Sequence, residues 1–299
     1  MFLLPSPIEQ ISHPLLEEKN IKLWLKRDDL IHSTISGNKW RKLSFFFSEA
    51  KRLQLTSIAS FGGAWSNHIY SLAAAGAHLG FQTIGIIRGE EPEKYSTALE
   101  FALKQGMELH FVSREAYRDK QQLELDFKTI YPKTLFIPEG GAHELGTIGC
   151  EKIIEEIKNF TPDYIALACG TATTMMGVAK TAKQSEVLGF SALKNGDFLL
   201  NDWKEFMQKN QINNVKIIND FSGGGYAKSY LELEDFIVDF YRSYKIILDP
   251  IYTGKMMFGV FELLKKGFFK EGANIVAIHT GGLQGLNGFP FLQERLKNA

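Results

Sequence analysis

Apolar strand runs that end in glycine-rich turns alternate, almost without a break, with helical stretches along this 299-residue chain, and that alternation constrains its fold more than any other feature. β-Branched or aromatic runs stand at SIASFGG, TIGIIRG, ELHFVS, TLFIPEGG, YIALACG, EVLGFSAL, VKIINDFSGGG and NIVAIHTGG. Between them the apolar spacing predicts helices over 67–80, 94–105, 146–159, 229–244 and 255–266. Strands separated by helices pair side by side in parallel sheets covered by those helices, so the expected class is α/β. Ligands of parallel sheets bind beyond the carboxyl ends of the strands, and the turns FGG, EGG, CGTATT, SGGG and HTGG are therefore expected to line one crevice.

A hydrophobic share of 44% with 12% aromatic residues lets such a chain bury one large core or two moderate ones. Lys+Arg and Asp+Glu both number 34, so no net basic field attracts nucleic acid or an anionic membrane, and a small-molecule partner is favoured. MFLLPSPIEQ has no basic leader region and no apolar run has the length of a membrane span, which points to a cytoplasmic location. Cys150 and Cys169 form no CxxC pair, and the histidines lack metal-ligand spacing, so neither a disulfide framework nor a metal site is expected.

Three short segments carry candidate chemistry. In SGNKWRKLSFFF, Lys39 follows Ser36, Gly37 and Asn38 near a strand-to-helix junction, with Arg41 and Lys42 beside it. Basic charge has the wrong sign for the positive end of a helix, yet a solvated lysine explains the segment when it is read alone. In YIALACGTATTMMGVAKTA a strand ends at Cys169, Gly170 allows a bend, and Thr171, Ala172, Thr173 and Thr174 open a helix. Small residues, hydroxyls and a helix N-terminus suit a phosphate. Plain threonine capping explains that segment equally well. The third segment, GGAWSNH, places Ser66 as a helix N-cap with Asn67 and His68 in the first turn, where a carboxylate would fit and where capping alone is the commoner explanation.

Taken jointly and in order, SGNKWRKL, GGAWSNH, CGTATTMMG, LDPIYTGKMMFG and HTGG span most of the chain. The set resembles the fold type II enzymes that depend on pyridoxal 5′-phosphate, with a fold like that of the tryptophan synthase β chain. More narrowly it is similar to the 1-aminocyclopropane-1-carboxylate deaminase and D-cysteine desulfhydrase family, for which SGNKxRKL and SNH are the specific segments. The resemblance implies that Lys39 is the lysine bonded to the cofactor aldehyde, and flanking cations lower the pKa of such an amine. It implies further that Asn67 bonds the cofactor's phenolic oxygen, that Gly170, Thr171, Ala172, Thr173 and Thr174 hold its phosphate, and that Thr253 faces its ring nitrogen. Ser66, Asn67 and His68 would hold the substrate carboxylate, with Ser66 available for proton transfer and with Tyr226 and Tyr252 as the active-site tyrosines. Thr173 and Met175 depart from the family pattern, which has glycine and a polar residue there.

Within that family, ring-opening deaminases carry glutamate after the DPxY tyrosine and leucine in the HLGG segment, whereas D-cysteine desulfhydrases carry serine or threonine and then threonine. Thr253 and Thr280 match the second pattern. The expected activity is therefore conversion of D-cysteine to pyruvate, ammonia and sulfide, with ring opening, dehydration or racemisation of a small amino acid as alternatives. A cofactor- or phosphate-binding protein without turnover is the alternative from outside enzymology. The expected organisation is a large cofactor-binding domain of 1–44 and 149–299, a small domain of 45–148, the cofactor in the cleft between them, and a homodimer.

Overall fold

A computed structural model describes residues 2–35 and 37–299, so Ser36 of the SGNK segment lies outside the described residues. Among the described residues ten strands form in chain order: β1 (Ile8–Ile11), β2 (Lys22–Lys26), β3 (Ser57–Gly62), β4 (Gln82–Arg88), β5 (Glu108–Val112), β6 (Thr134–Ile137), β7 (Tyr164–Cys169), β8 (Glu186–Ser191), β9 (Val215–Ile218) and β10 (Asn274–Ile278). The chain divides into two compact units, Met1–Asn38 with Cys150–Ala299, and Lys39–Gly149. The sequence places those crossings at 44/45 and 148/149 instead. The helix Asn38–Arg52 is continuous, so the first crossing falls at its start and not within it.

The larger unit carries a six-stranded sheet in the order β1-β2-β10-β7-β8-β9. Only β1 runs antiparallel, pairing Ile8 with Lys26 and Ile11 with Leu23, and the remaining pairs are parallel. β7 is buried at every position, as a central strand covered on both faces must be. Leu25, Ala166, Ala168 and Ala277 pack in one cluster with Met256, Met257, Val260 and Phe261 of the helix Thr253–Lys265. Each such large apolar side chain removed from water contributes roughly 1.5–3 kcal/mol, which fixes this helix against the sheet.

The smaller unit is a four-stranded parallel sheet in the order β5-β4-β3-β6. Its core joins Ala59, Phe61, Ile84 and Ile86 to Tyr117, Leu123, Phe127 and Phe136. The helix Asn67–Leu79 follows β3 directly, capped by Ser66, whose Oγ accepts from the Ile69 N–H at 3.3 Å. All five predicted helices form, as Asn67–Leu79, Thr97–Lys104, Glu144–Glu155, Leu231–Tyr244 and Thr253–Lys265. Among the described residues no helix is long and apolar enough to cross a membrane, and no cluster of His, Cys, Asp or Glu is arranged to hold a metal ion.

Candidate active site

The turn that delivers Lys39 is held by backbone and side chain together. Gly37 has φ +65°, and a Cβ there would lie 1.9 Å from Thr280 O, so both its conformation and its surroundings require glycine. Its N–H donates to Asp28 O at 2.9 Å, and the Asn38 N–H donates to Thr280 O at 3.2 Å. Asn38 Nδ2 also donates to Thr174 Oγ1 at 3.0 Å. Beneath the turn, the buried Asp28 carboxylate accepts from Ser6 Oγ at 2.6 Å, and Lys26 Nζ donates to Ser6 O, Ser6 Oγ and, at 2.6 Å, Glu156 Oε2. A buried ammonium held by a carboxylate and a carbonyl makes a rigid base. Lys39, half-buried, is the next residue of the chain.

Thr174 belongs to the predicted phosphate cup. β7 ends at Cys169, and a Cβ at Gly170 would stand 3.3 Å from the Tyr252 ring. The expectation that Thr171 begins the helix is corrected: Ala172 is the N-cap in left-handed geometry, φ +53°, and the helix is Thr173–Thr181. No side chain caps that end. Thr171 O accepts from Trp203 Nε1 at 2.9 Å, and the Thr171 and Thr173 hydroxyls bond each other at 3.0 Å. Thr173 is helical, and the positive φ of this turn falls on Ala172. An uncapped helix N-terminus with buried first-turn donors and hydroxyls at its rim fits a dianionic phosphate group.

At the start of the helix Thr253–Lys265, Asp249 organises the DPIYT segment. Its Oδ2 accepts from the N–H groups of Ile251 and Tyr252, and its Oδ1 from the N–H and, at 2.7 Å, the hydroxyl of Thr253. The Asp249 N–H donates back to Thr253 Oγ1 at 2.9 Å. Thr253 is fully buried. Half-buried Tyr252 meets exposed Tyr226 edge to face, with ring centroids 6.0 Å apart. Tyr226 rides on a glycine-rich loop that buried Lys255 holds by donating to Ser222 O at 2.7 Å and Gly225 O at 2.8 Å. Burial pulls the Lys255 amine down to about 8, against the opposing pull of Asp249. Thr280 is buried, with its carbonyl committed to Asn38, and His279 beside it donates Nε2–H to Ile247 O and accepts the Gly281 N–H on Nδ1.

In the smaller unit, Ser66 is half-buried while Asn67 and His68 are buried. The His68 imidazole points inward, with Nε2 2.9 Å from Ser60 Oγ. That hydroxyl donates to Ile137 O at 2.8 Å, so its oxygen accepts and His68 Nε2 carries the proton. The one donor of the imidazole is thus directed at Ser60, and what His68 can offer a carboxylate is its backbone N–H. Burial, and then the charges of Lys39 and Lys42, hold its pKa well below the ordinary histidine value. Lys42 is buried and donates to Gly140 O at 2.9 Å.

The cup and the Gly37 and Asn38 turn are thus brought together within the larger unit, while Lys39 and, at one helix start, Ser66, Asn67 and His68 belong to the smaller. Sequence reasoning missed Asp249, Lys255, Trp203 and Ser60. Asp249 was findable, because an aspartate before a proline opens a turn in which its carboxylate accepts the backbone N–H two residues on, here that of Ile251. Lys255, inside an apolar helical run, left no signal.

Comparison with known proteins agrees with this geometry. Residues 3–281 match the family described as pyridoxal-phosphate dependent enzyme. The chain is 32% identical over 316 residues to the Arabidopsis thaliana protein named bifunctional D-cysteine desulfhydrase/1-aminocyclopropane-1-carboxylate deaminase, mitochondrial, covering 95% of this chain and 77% of that one. It is 26% identical to the Yersinia enterocolitica protein named D-cysteine desulfhydrase, covering 94% and 92%. A crystal structure described as an ACC deaminase homologue superposes with a TM-score of 0.82 at 26% identity, covering 100% of this chain and 95% of that chain. The expected fold type II architecture is borne out.

Proposed function

From the premise that this chain belongs to the family of pyridoxal-phosphate dependent enzymes, we propose that it is a lyase that converts D-cysteine and water to pyruvate, ammonia and hydrogen sulfide. Lys39 is the attachment lysine in this reading, and the uncapped helix start at Thr173, with Gly170, Thr171, Ala172 and Thr174, receives the phosphate. Pyridoxal phosphate, when bound, supplies the electron sink that lets an α-proton leave. Asn38, bonded to Thr174 Oγ1, keeps the Lys39 turn and the phosphate end in register. Ser66 keeps its hydroxyl proton free to give, because its oxygen only accepts from Ile69 N–H, and with Asn67 it takes the substrate carboxylate. Tyr226 and Tyr252 present edge-to-face rings to the substrate and cofactor.

The observation that carries the choice of D-cysteine is Thr253. Where ring-opening relatives carry a glutamate, this chain places a neutral hydroxyl whose proton is given to Asp249. Expelling a thiolate needs a weaker electron sink than breaking a cyclopropane carbon–carbon bond, and a hydroxyl opposite the ring nitrogen supports only the weaker one. Ring opening is the second reading, favoured by the Arabidopsis relative being named for both activities. Product analysis of the loaded protein tests the choice: sulfide and pyruvate from D-cysteine are expected, with little 2-oxobutanoate from aminocyclopropane carboxylate. Comparable rates on the two substrates overturn the argument from Thr253 and Thr280. A homodimer and a cytoplasmic location belong to the same proposal.

A further inference from the structure

Trp203 joins two short helices of the larger unit, Phe198–Asp202 and Lys204–Lys209, and both hold its backbone. Its N–H donates to Leu200 O at 3.2 Å, and its carbonyl accepts from the Met207 N–H at 2.8 Å. The side chain is 8% exposed, and its ring meets Phe206 edge to face with centroids 5.2 Å apart. A buried indole needs an acceptor for its one donor. Trp203 Nε1 finds it in Thr171 O, at 2.9 Å and across 32 positions of the chain. Thr171 stands in the turn between β7 and the helix Thr173–Thr181, so a distant side chain grips the backbone of the phosphate cup. Asn38 Nδ2 holds the cup as well, but at the Thr174 hydroxyl, where it fixes a side chain.

The direction of the Thr171 carbonyl decides more than its own bond. The Thr171–Ala172 peptide is trans, so the Ala172 N–H points away from that carbonyl and hence away from the indole. Among the described residues this N–H meets no acceptor, although Ala172 is 3% exposed. A buried N–H costs free energy unless something takes its hydrogen bond. Ala172 also stands at φ +53°, where a residue with a Cβ is strained and where it persists only if its surroundings hold it. Turning the Thr171–Ala172 peptide over would relieve that strain, and would carry the carbonyl off Trp203 and reverse the N–H. We propose that Trp203 is a positioning residue for the cofactor phosphate: by holding Thr171 O, its indole keeps this peptide in the orientation that presents the Ala172 N–H to a phosphate oxygen. The backbone donors of the helix start at Thr173 and Thr174 complete the cup. The inference rests on the cup being the phosphate site.

The test compares two variants with the wild type, all as cofactor-free full-length protein. Trp203→Phe keeps an aromatic ring against Phe206 and loses the donor. In Trp203→His the imidazole Nε2 falls where the indole Nε1 stands, so the donor returns while the six-membered ring is lost. Calorimetry reads the affinity for inorganic phosphate. Visible absorbance reads the affinities for pyridoxal 5′-phosphate and for pyridoxal, which has no phosphate. Trp203→Phe is expected to bind phosphate and pyridoxal 5′-phosphate about tenfold more weakly, the equivalent of one lost hydrogen bond to a charged acceptor, and pyridoxal as the wild type does. Trp203→His should return to within about threefold of wild type on all three. Because either variant can fail to fold, the amide spectrum of the wild type gives an independent reading: saturating phosphate should move the Ala172 amide proton downfield. Wild-type phosphate affinity in Trp203→Phe, or an Ala172 amide that stays in place while its neighbours respond, overturns the proposal. A loss as large for pyridoxal as for pyridoxal 5′-phosphate, or one that Trp203→His leaves unrepaired, also overturns it, as the mark of a packing role. A wild type that binds pyridoxal as tightly as pyridoxal 5′-phosphate, with no amide of 170–175 responding to phosphate, instead removes the phosphate reading on which the proposal rests.

Discussion

Replacing Thr253 by valine tests whether the Asp249 carboxylate and the Thr253 hydroxyl act as a single fastening for the segment that carries Tyr252. Valine nearly matches threonine in shape, so the fully buried site loses polarity and not volume. The hydroxyl donates to Asp249 Oδ1 at 2.7 Å and accepts from the Asp249 N–H at 2.9 Å. A hydrogen bond to a charged acceptor contributes roughly 1.5–3 kcal/mol, and a buried N–H deprived of its acceptor costs about 1–3 kcal/mol. The carboxylate retains the N–H groups of Ile251, Tyr252 and Thr253, which limits the loss. A destabilisation of about 2–4 kcal/mol is expected for Thr253→Val, against about 1 kcal/mol for Thr253→Ser, which keeps both bonds and loses one methyl group. Urea unfolding of the cofactor-free protein measures the difference, and hydrogen exchange at the Asp249 amide localises it. If Thr253→Val stays within about 0.5 kcal/mol of wild type, or Thr253→Ser is the worse of the two, the hydroxyl is not a fastening. The same geometry argues that glutamate at 253 would set a second buried carboxylate against Asp249, so that conversion to ring-opening chemistry needs more than exchanging this residue.

Lys255 and Ser66 give the remaining tests. Burial holds the Lys255 amine at about 8, below its ordinary 10.5, so between those values the unfolded chain binds more protons and stability rises with pH. Lys255→Met should abolish that rise between pH 8 and 10 in urea titrations and expose the 222–228 loop to proteolysis; an unchanged slope would assign the pH effect to other groups. Ser66→Ala removes the acceptor for Ile69 N–H and should cost about 1 kcal/mol of stability. It should keep the cofactor's visible absorption while losing most turnover, and undiminished turnover would reduce Ser66 to a cap.

The strands were legible because parallel strands buried on both faces read as unbroken apolar runs, as Tyr164–Cys169 and Asn274–Ile278 do. β1 was not, since its four residues pair antiparallel at an edge, and two of them are exposed. The helix starts with side-chain caps could be read, Ser66 above all. The start at Thr173 could not, because left-handed backbone at an alanine leaves no trace in the letters. Single residues of the site were visible as types, but their fastenings were not. Asn38 reaches Thr174 across 136 positions, and Lys255 reaches Ser222 across 33, distances that no local pattern encodes.

What the local patterns did encode was their own violation. Lys39, Arg41 and Lys42 crowd positive charge into the first turn of a helix, where the backbone already presents its positive end. Exposure would soften that conflict, yet Arg41 and Lys42 are 4% and 3% exposed. The Gly140 carbonyl offsets part of the cost at Lys42, and a neutral imidazole stands where a carboxylate would have offset more. A carboxylate there would have favoured the charged form of the ammonium groups beside it. The basic cluster thus stands beside a neutral imidazole, whose protonation that cluster, after burial, disfavours.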